Sequence, residues 1–388
     1  MEKLTVLLGA GFSRNAGYPS GFELNRIFET DIEYKLYKQS SGEWLYDENR
    51  NSETILSTLN EDNVRIPFLL KSLINDFKEK NKNIFDYESF YDWLSEVYTD
   101  MDLLKTHIIK VNQRITTQYK DVYNPEFLFK EYDIDKHLFV KVSDCFNYAI
   151  CDILAREYNR VESVNKYTPF INYLKEFNDV EIFTLNHDLL LEYLLKYFEI
   201  KFSDGFTIEN SCIVGDEKAI QEMYKNSYEA NSFKLYKLHG SIDYYQFEIY
   251  DKQGIIYNRT GRFHMYKPKT YFDKHYARMI DVESGKILQE MSLDIIPKFL
   301  TGRNLKKKFL ELFFYSNHIE HFKKSIDCCN QLLIIGYSYS DLHINGIIKI
   351  TSNKTLNILN INPTKKFELD MNLPHFTVNN IDSIDSIN

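Results

Sequence analysis

Residues 4–19 read LTVLLGAGFSRNAGYP, and the fold turns on how this stretch is taken. Leu4 to Leu8 are apolar and β-prone, enough for one buried strand. The run then breaks at Gly9-Ala10-Gly11 and resumes around Ser13 with residues that suit a helix. A strand, a glycine turn and a helix in that order place backbone N–H groups around a diphosphate, because only glycine lets the backbone approach so closely. A G-x-G without a third glycine in G-x-G-x-x-G register also occurs at ordinary strand-to-helix turns. The rest of the chain has to decide between the two readings.

Further along, the same arrangement recurs. In DVEIFTLNHDLLLEYLLKYF, the apolar run Val180–Thr184 reaches a polar turn, Asn186-His187-Asp188, and a Leu-rich helix follows. In CCNQLLIIGYSYSDLHINGIIKI, Leu332–Ile335 reads as a buried strand, Gly336-Tyr337-Ser338 as its turn and His343 onward as a helix. A fourth strand, Leu356–Ile361, ends at Asn362-Pro363. Strands alternating with helices predict an α/β fold, a Rossmann-like doubly wound parallel sheet, which binds ligands at the carboxyl ends of its strands.

Between these units, residues 31–170 carry apolar positions at three- and four-residue spacing, as in FLLKSLINDFK and LFVKVSDCFNYAICDILAREY, and no strand is expected there. That length is too great for a loop, so the stretch reads as a large all-helical insertion subdomain, with residues 1–30 and 171–388 forming the sheet domain. Residues 245–295, with QGIIYNRTGRFHMYK, read as a shorter insertion containing hairpin strands.

Composition narrows the function classes. The 388 residues can bury a large core, and their net charge of −9 lacks the basic excess of a dedicated nucleic-acid binder, so direct nucleic-acid binding is not expected. Lys306-Lys307-Lys308 is a local basic run, more in keeping with a solvated helix face than with a binding patch. The five cysteines form no C-x-x-C pair, which speaks against a structural zinc knuckle or a disulfide framework, and no metal is expected. The first residues lead directly into the strand without a long apolar leader, so a cytoplasmic protein without membrane association is expected. The 29 Tyr and 28 Phe follow no fixed repeat and read as core.

Taken together and in this order, GAGFSRNAGYP at 9–19, TLNHD at 184–188, KLHGS at 237–241, GYS at 336–338 and ILNINP at 358–363 resemble the sirtuin-like superfamily. The G-A-G-x-S-x-x-A-G-x-P element of that family is matched at Gly9, Ala10, Gly11, Ser13, Ala16, Gly17 and Pro19. The Asp-Phe-Arg that follows in the family is replaced by Ser20-Gly21-Phe22, and the paired C-x-x-C elements of the deacylating members are missing. The L-H-G-S and G-Y-S elements and the large insertion are more similar to the bacterial branch that hydrolyses NAD in antiphage defence.

The resemblance implies NAD as substrate and a set of roles. Asn186 and His239 would be catalytic, the amide orienting water or ribose and the imidazole acting as base. Gly9, Ala10, Gly11 and Ser13 would hold the pyrophosphate. Asp188 would fix its loop as an Asx turn and touch the ribose. Gly336 and Ser338 would approach from the other wall, and Asn362 would contact the adenosine ribose. It further implies homo-oligomers and a partner, a HerA-type ring ATPase or another phage-sensing protein. Taken singly, Asn186 is more often a turn former, His239 equally a loop histidine, and Ser338 a turn residue ahead of a helix capped by Asp341.

Overall fold

The structure, a computed structural model, describes residues 2–55, 61–97, 100–118, 128–130, 136–253, 256–269, 277–281, 284–289, 297–299, 313–353, 355–363 and 377–383. The run Lys306-Lys307-Lys308 lies outside them. Two compact units emerge, one containing residues 2–18 and the described residues from 157 onward, the other residues 19–156.

The first unit is built on seven strands in the order β16-β15-β14-β1-β4-β9-β5. These are β1 (Lys3–Leu8), β4 (Asp179–Thr184), β5 (Phe202–Ser203), β9 (Phe233–Lys237), β14 (Gln331–Ile335), β15 (Asn357–Ile361) and β16 (Thr377–Ile381). Every pairing is parallel. The chain builds outward from β1 through β4 to β9, then crosses back to lay β14, β15 and β16 on the other side. The β1/β14 boundary is therefore the switch point of a doubly wound sheet, as the sequence predicts.

Alternation along the strands feeds two cores. Leu4, Val6, Leu8, Val180, Ile182, Leu333 and Ile335 pack with Val164, Tyr167, Phe170, Ile171 and Leu174 of α9 (Arg160–Leu174) and with Leu190, Leu191, Leu194 and Leu195 of α10 (Leu190–Tyr197). Leu7, Phe183, Tyr236, Leu332, Ile334 and Ile358 pack with Ile319, Phe322 and Ile326 of α11 (Phe313–Cys328) and with Ile344, Ile347 and Ile348 of α12 (Leu342–Lys349). Residues buried on both faces explain why these strands read as continuous apolar runs instead of alternating ones. Helix α9, assigned by periodicity to the insertion, packs in the sheet's own core.

The remaining strands of this unit pair antiparallel. β10 (Tyr245–Gln253) and β11 (Ile256–Lys267) form the expected hairpin, extended by β8 (Glu222–Tyr224) and β6 (Phe206–Thr207). β12 (Arg278–Ile280) lies between β13 (Ile287–Gln289) and β7 (Ile213–Val214).

The second unit carries α2 (Gly21–Glu29), α3 (Ile32–Lys35), α4 (Ser52–Ile55), α5 (Glu61–Lys80), α6 (Tyr87–Val97), α7 (Met101–Gln118) and α8 (Lys136–Ala155). Ser20 opens α2 with a capping box, its side chain on the Glu23 N–H and Glu23 reaching back to the Ser20 N–H. Phe28, Phe77, Phe85, Phe90 and Phe146 meet edge to face or tilted at the centre. The unit is not all-helical: β2 (Leu36–Lys38) and β3 (Trp44–Tyr46) form a hairpin. The three-residue strands are too short to show a period of two, and buried Leu36 and Trp44 merge into the surrounding helical pattern. Among the described residues no helix is long and apolar enough to cross a membrane.

Candidate functional site

The strand ends set the site. Leu8 pairs with Thr184 and with Ile335, Thr184 with Lys237, and Ile335 with Ile361, so five neighbouring strands finish level with one another. The residues that come next, Gly9, Leu185, Leu238, Gly336 and Asn362, form one continuous edge. Asn186 and His239 each lie two residues beyond the paired Thr184 and Lys237, on strands about 4.8 Å apart.

At the switch point the glycines pack backbone against backbone. Gly9 N–H donates to Ile335 O and Gly11 N–H to Gly336 O, both at 2.9 Å. A Cβ on Gly9 would come within 2.6 Å of Gly336 O, and one on Gly11 within 2.7 Å of Gly336 Cα. Gly336 itself has φ +62, and a Cβ there would run into the Gly11 and Phe12 backbone. Glycine is thus required here by loop-on-loop packing, and the Gly9 and Gly11 amides serve that packing. Ala10 is exposed at the first position of α1 (Ala10–Arg14).

The β4 loop is tied into this arrangement. Asn186 donates both amide hydrogens, to Gly9 O and to Ser13 Oγ, each at 3.0 Å, while its own N–H donates to Thr184 Oγ1. Those two bonds use the full donor capacity of the side chain and leave Oδ1 as its acceptor. Asp188 Oδ1 accepts from Leu190 N–H at 3.0 Å, the expected Asx turn at the start of α10. His187 is buried, with its ring 5.0 Å from that of Phe299 and 6.2 Å from that of His239.

Below the β9 loop, a lysine within a strand is wholly buried. Lys237 Nζ meets Glu192 Oε1 at 2.8 Å and donates to Asp188 O at 2.5 Å and Ser241 Oγ at 2.8 Å, linking the ends of β4 and β9. From the other side, His318 Nδ1 lies 3.2 Å from Lys237 O, and burial pushes His318 down to about 4. It is a neutral support at neutral pH. His239 follows, with Nε2 3.0 Å from Asp341 Oδ2. Gly240 then turns at φ +81, where a Cβ would lie 2.8 Å from Phe299 Cα.

The β14 loop is held by its own side chains. The one hydrogen of Tyr337 OH is shared between two acceptors, Asp341 O at 3.0 Å and Asn345 Oδ1 at 2.9 Å, and Asn345 Nδ2 donates to Tyr339 O at 2.7 Å. Asn362 Nδ2 donates to Tyr337 O at 2.8 Å, and Tyr339 OH to Asn360 Oδ1 at 2.7 Å, so both asparagines bind this loop. Ser338 is exposed and meets Ser340 Oγ at 2.7 Å. Asp341 is the α12 N-cap that its position after a turn suggested, since Oδ1 accepts from His343 and Ile344 N–H. Its second role, on His239, has no signal in local sequence because the two residues are 102 positions apart.

Gly9, Ser13 and Asn186 are thus joined directly, Gly336 is packed on Gly9 and Gly11, Asn362 is joined to the G-Y-S turn, and His239 to Asp341. Ser338 makes its bond within its own loop. Among the described residues no group of three or more His, Cys, Asp or Glu side chains is placed to hold a metal ion.

Comparison with known proteins agrees with this layout over part of the chain. The family model described as SIR2-like domain matches residues 180–366. No curated protein matches the chain. A solved structure described as "Structural Basis for the Mechanism and Regulation of Sir2 Enzymes" aligns at 13% identity over 100% of this chain and 88% of that chain. Its TM-score of 0.32 is too low to carry an argument. The segment holding Asn186, His239, Gly336, Ser338, Asp341 and Asn362 is therefore similar to the SIR2-like domain family, and β1 with its glycine loop is added to it by the fold.

Proposed function

We propose that this protein hydrolyses NAD to nicotinamide and ADP-ribose at the carboxyl edge of the sheet, as an effector that depletes NAD in bacterial antiphage defence. The supporting observation is the placement of Asn186 and His239 at equal offsets beyond paired residues of adjacent strands, beside the glycine loop of β1. Cleavage develops positive charge on the ribose. Nicotinamide leaves with the bonding electron pair, water oxygen bonds to the sugar carbon, and the water's proton passes to His239 and on to solvent. The pyridinium is already a good leaving group, so no strong general acid is needed. Asn186 Oδ1 is the acceptor that orients water or a ribose hydroxyl.

Activity of this kind is toxic in a healthy cell, so assembly into a homo-oligomer or a separate partner, such as a HerA-type ring ATPase, would control it. One observation supports a second reading, a module that binds NAD or ADP-ribose without turning it over: both amide hydrogens of Asn186 are engaged within the protein. Incubating the full-length protein with NAD, alone and with the product of a neighbouring gene, separates the two. Nicotinamide release that disappears in His239→Ala and Asn186→Ala supports hydrolysis. Calorimetric NAD binding with no product under any condition favours the sensor, and turnover unchanged in both variants rejects the site.

A further inference from the structure

His239 and Asp341 come from different loops and meet with Nε2 and Oδ2 3.0 Å apart, their side chains 10% and 14% exposed. The carboxylate does not depend on the histidine for its orientation. Oδ1 accepts from His343 N–H at 2.9 Å and from Ile344 N–H at 3.1 Å, which restrains its rotation and aims Oδ2 at the ring. The loop that carries it is fixed in turn by the Tyr337 hydroxyl on the Asp341 carbonyl and by Asn345 on the Tyr339 carbonyl, with Tyr339 in a left-handed conformation at φ +58.

An ionised carboxylate can only accept, so Nε2 must carry the hydrogen that bridges the pair. A neutral imidazole has one such hydrogen, and Nδ1 then holds the lone pair. Other titratable groups nearby are His187, whose ring is 6.2 Å from that of His239, and His343, whose backbone N–H shares Asp341.

We propose that Asp341 is a positioning residue that holds His239 as the Nε2–H tautomer, so that Nδ1 is the nitrogen that takes the substrate's proton. The tautomer follows from the pairing of His239 with the carboxylate of Asp341, whereas the identity of the proton rests on the hydrolase reading. The logic is that of an aspartate that orients a catalytic histidine, where exchange to asparagine keeps the shape and loses the tautomer.

The test uses full-length protein with 15N-labelled imidazoles and long-range proton–nitrogen spectra at pH 8, with His239 assigned by the signal lost in His239→Gln. Wild type is expected to show Nε2 protonated and Nδ1 bare. Asp341→Asn and Asp341→Ser both keep an N-cap acceptor for α12, so melting temperatures should stay close to wild type. In both variants the ring should move to the Nδ1–H form or to a mixture, and kcat for NAD should fall about 10²- to 10⁴-fold with little change in KM. An Nδ1–H ring in wild type, or a tautomer unchanged in both variants, overturns the proposal. If the tautomer switches as expected while wild type never turns NAD over, the hydrolase reading fails and the assignment of Asp341 stands.

Discussion

The loops after β1 and β4 and the first residue of the loop after β14 are locked through backbone and amide, with Asn186 on Gly9 and Ser13, and Gly336 pressed onto Gly9 and Gly11. The loop after β9 meets the far end of the β14 loop through the side-chain pair of His239 and Asp341. On the first side, the residues that match a motif are also the residues that hold the loops together, so chemistry and stability share the same atoms. On the second, His239 bonds a carboxylate that is separately held by two backbone N–H groups, and changing the imidazole need not disturb the sheet. A motif residue can therefore be retained for folding or for function, and stability measurements distinguish the two.

The largest effect is expected at the locked side. Gly336→Ala places a methyl group against the Gly11 and Phe12 backbone at a left-handed φ and should cost more than about 3 kcal/mol, read from urea unfolding. A cost under about 1 kcal/mol would mean that the two loops separate easily.

Next is a pH effect beneath β9. Burial lowers His318 to about 4 from an ordinary value near 6.5, so between these limits the unfolded chain binds a proton that the folded one refuses. Stability from this group is complete above pH 6.5 and is lost as pH falls toward 4, by about 3 kcal/mol in all. In His318→Phe, unfolding free energy should vary less with pH across that window, and an unchanged slope would show that His318 is not the group responsible.

The smallest effects sharpen the contrast directly. Asn186→Ala removes two hydrogen bonds from the locked side and should lower stability by about 1–3 kcal/mol, and on the proposed hydrolase reading it should also end NAD turnover. On the same reading His239→Ala should end turnover, at a stability cost of about 1 kcal/mol or less, because Asp341 keeps its two backbone donors. Equal losses of stability in both would erase the distinction between the two sides.

Much of the central sheet was legible. β1, β4, β14 and β15 are apolar runs that end in glycine or asparagine, and local composition suffices to mark such strands. β9 gives no strand signal, because FKLYK carries two lysines, and in the fold Lys237 is buried against Glu192. Periodicity places most of α9 in the insertion, because it reports that a helix has an apolar face and not which core receives it. The hairpin β2/β3 was missed because three-residue strands give no period.

By itself, the sequence determined the α/β class, the strand-turn-helix units and the residue types capable of binding a nucleotide, since each depends on patterns within about twenty neighbouring positions. Only the tertiary structure decided that Leu8, Thr184, Lys237, Ile335 and Ile361 end level with one another, that three glycines share one close contact, and that Asp341 faces His239. Parallel pairing joins strands through long crossovers, so register and loop-to-loop contact are settled by packing across the whole sheet and leave no local trace in the chain.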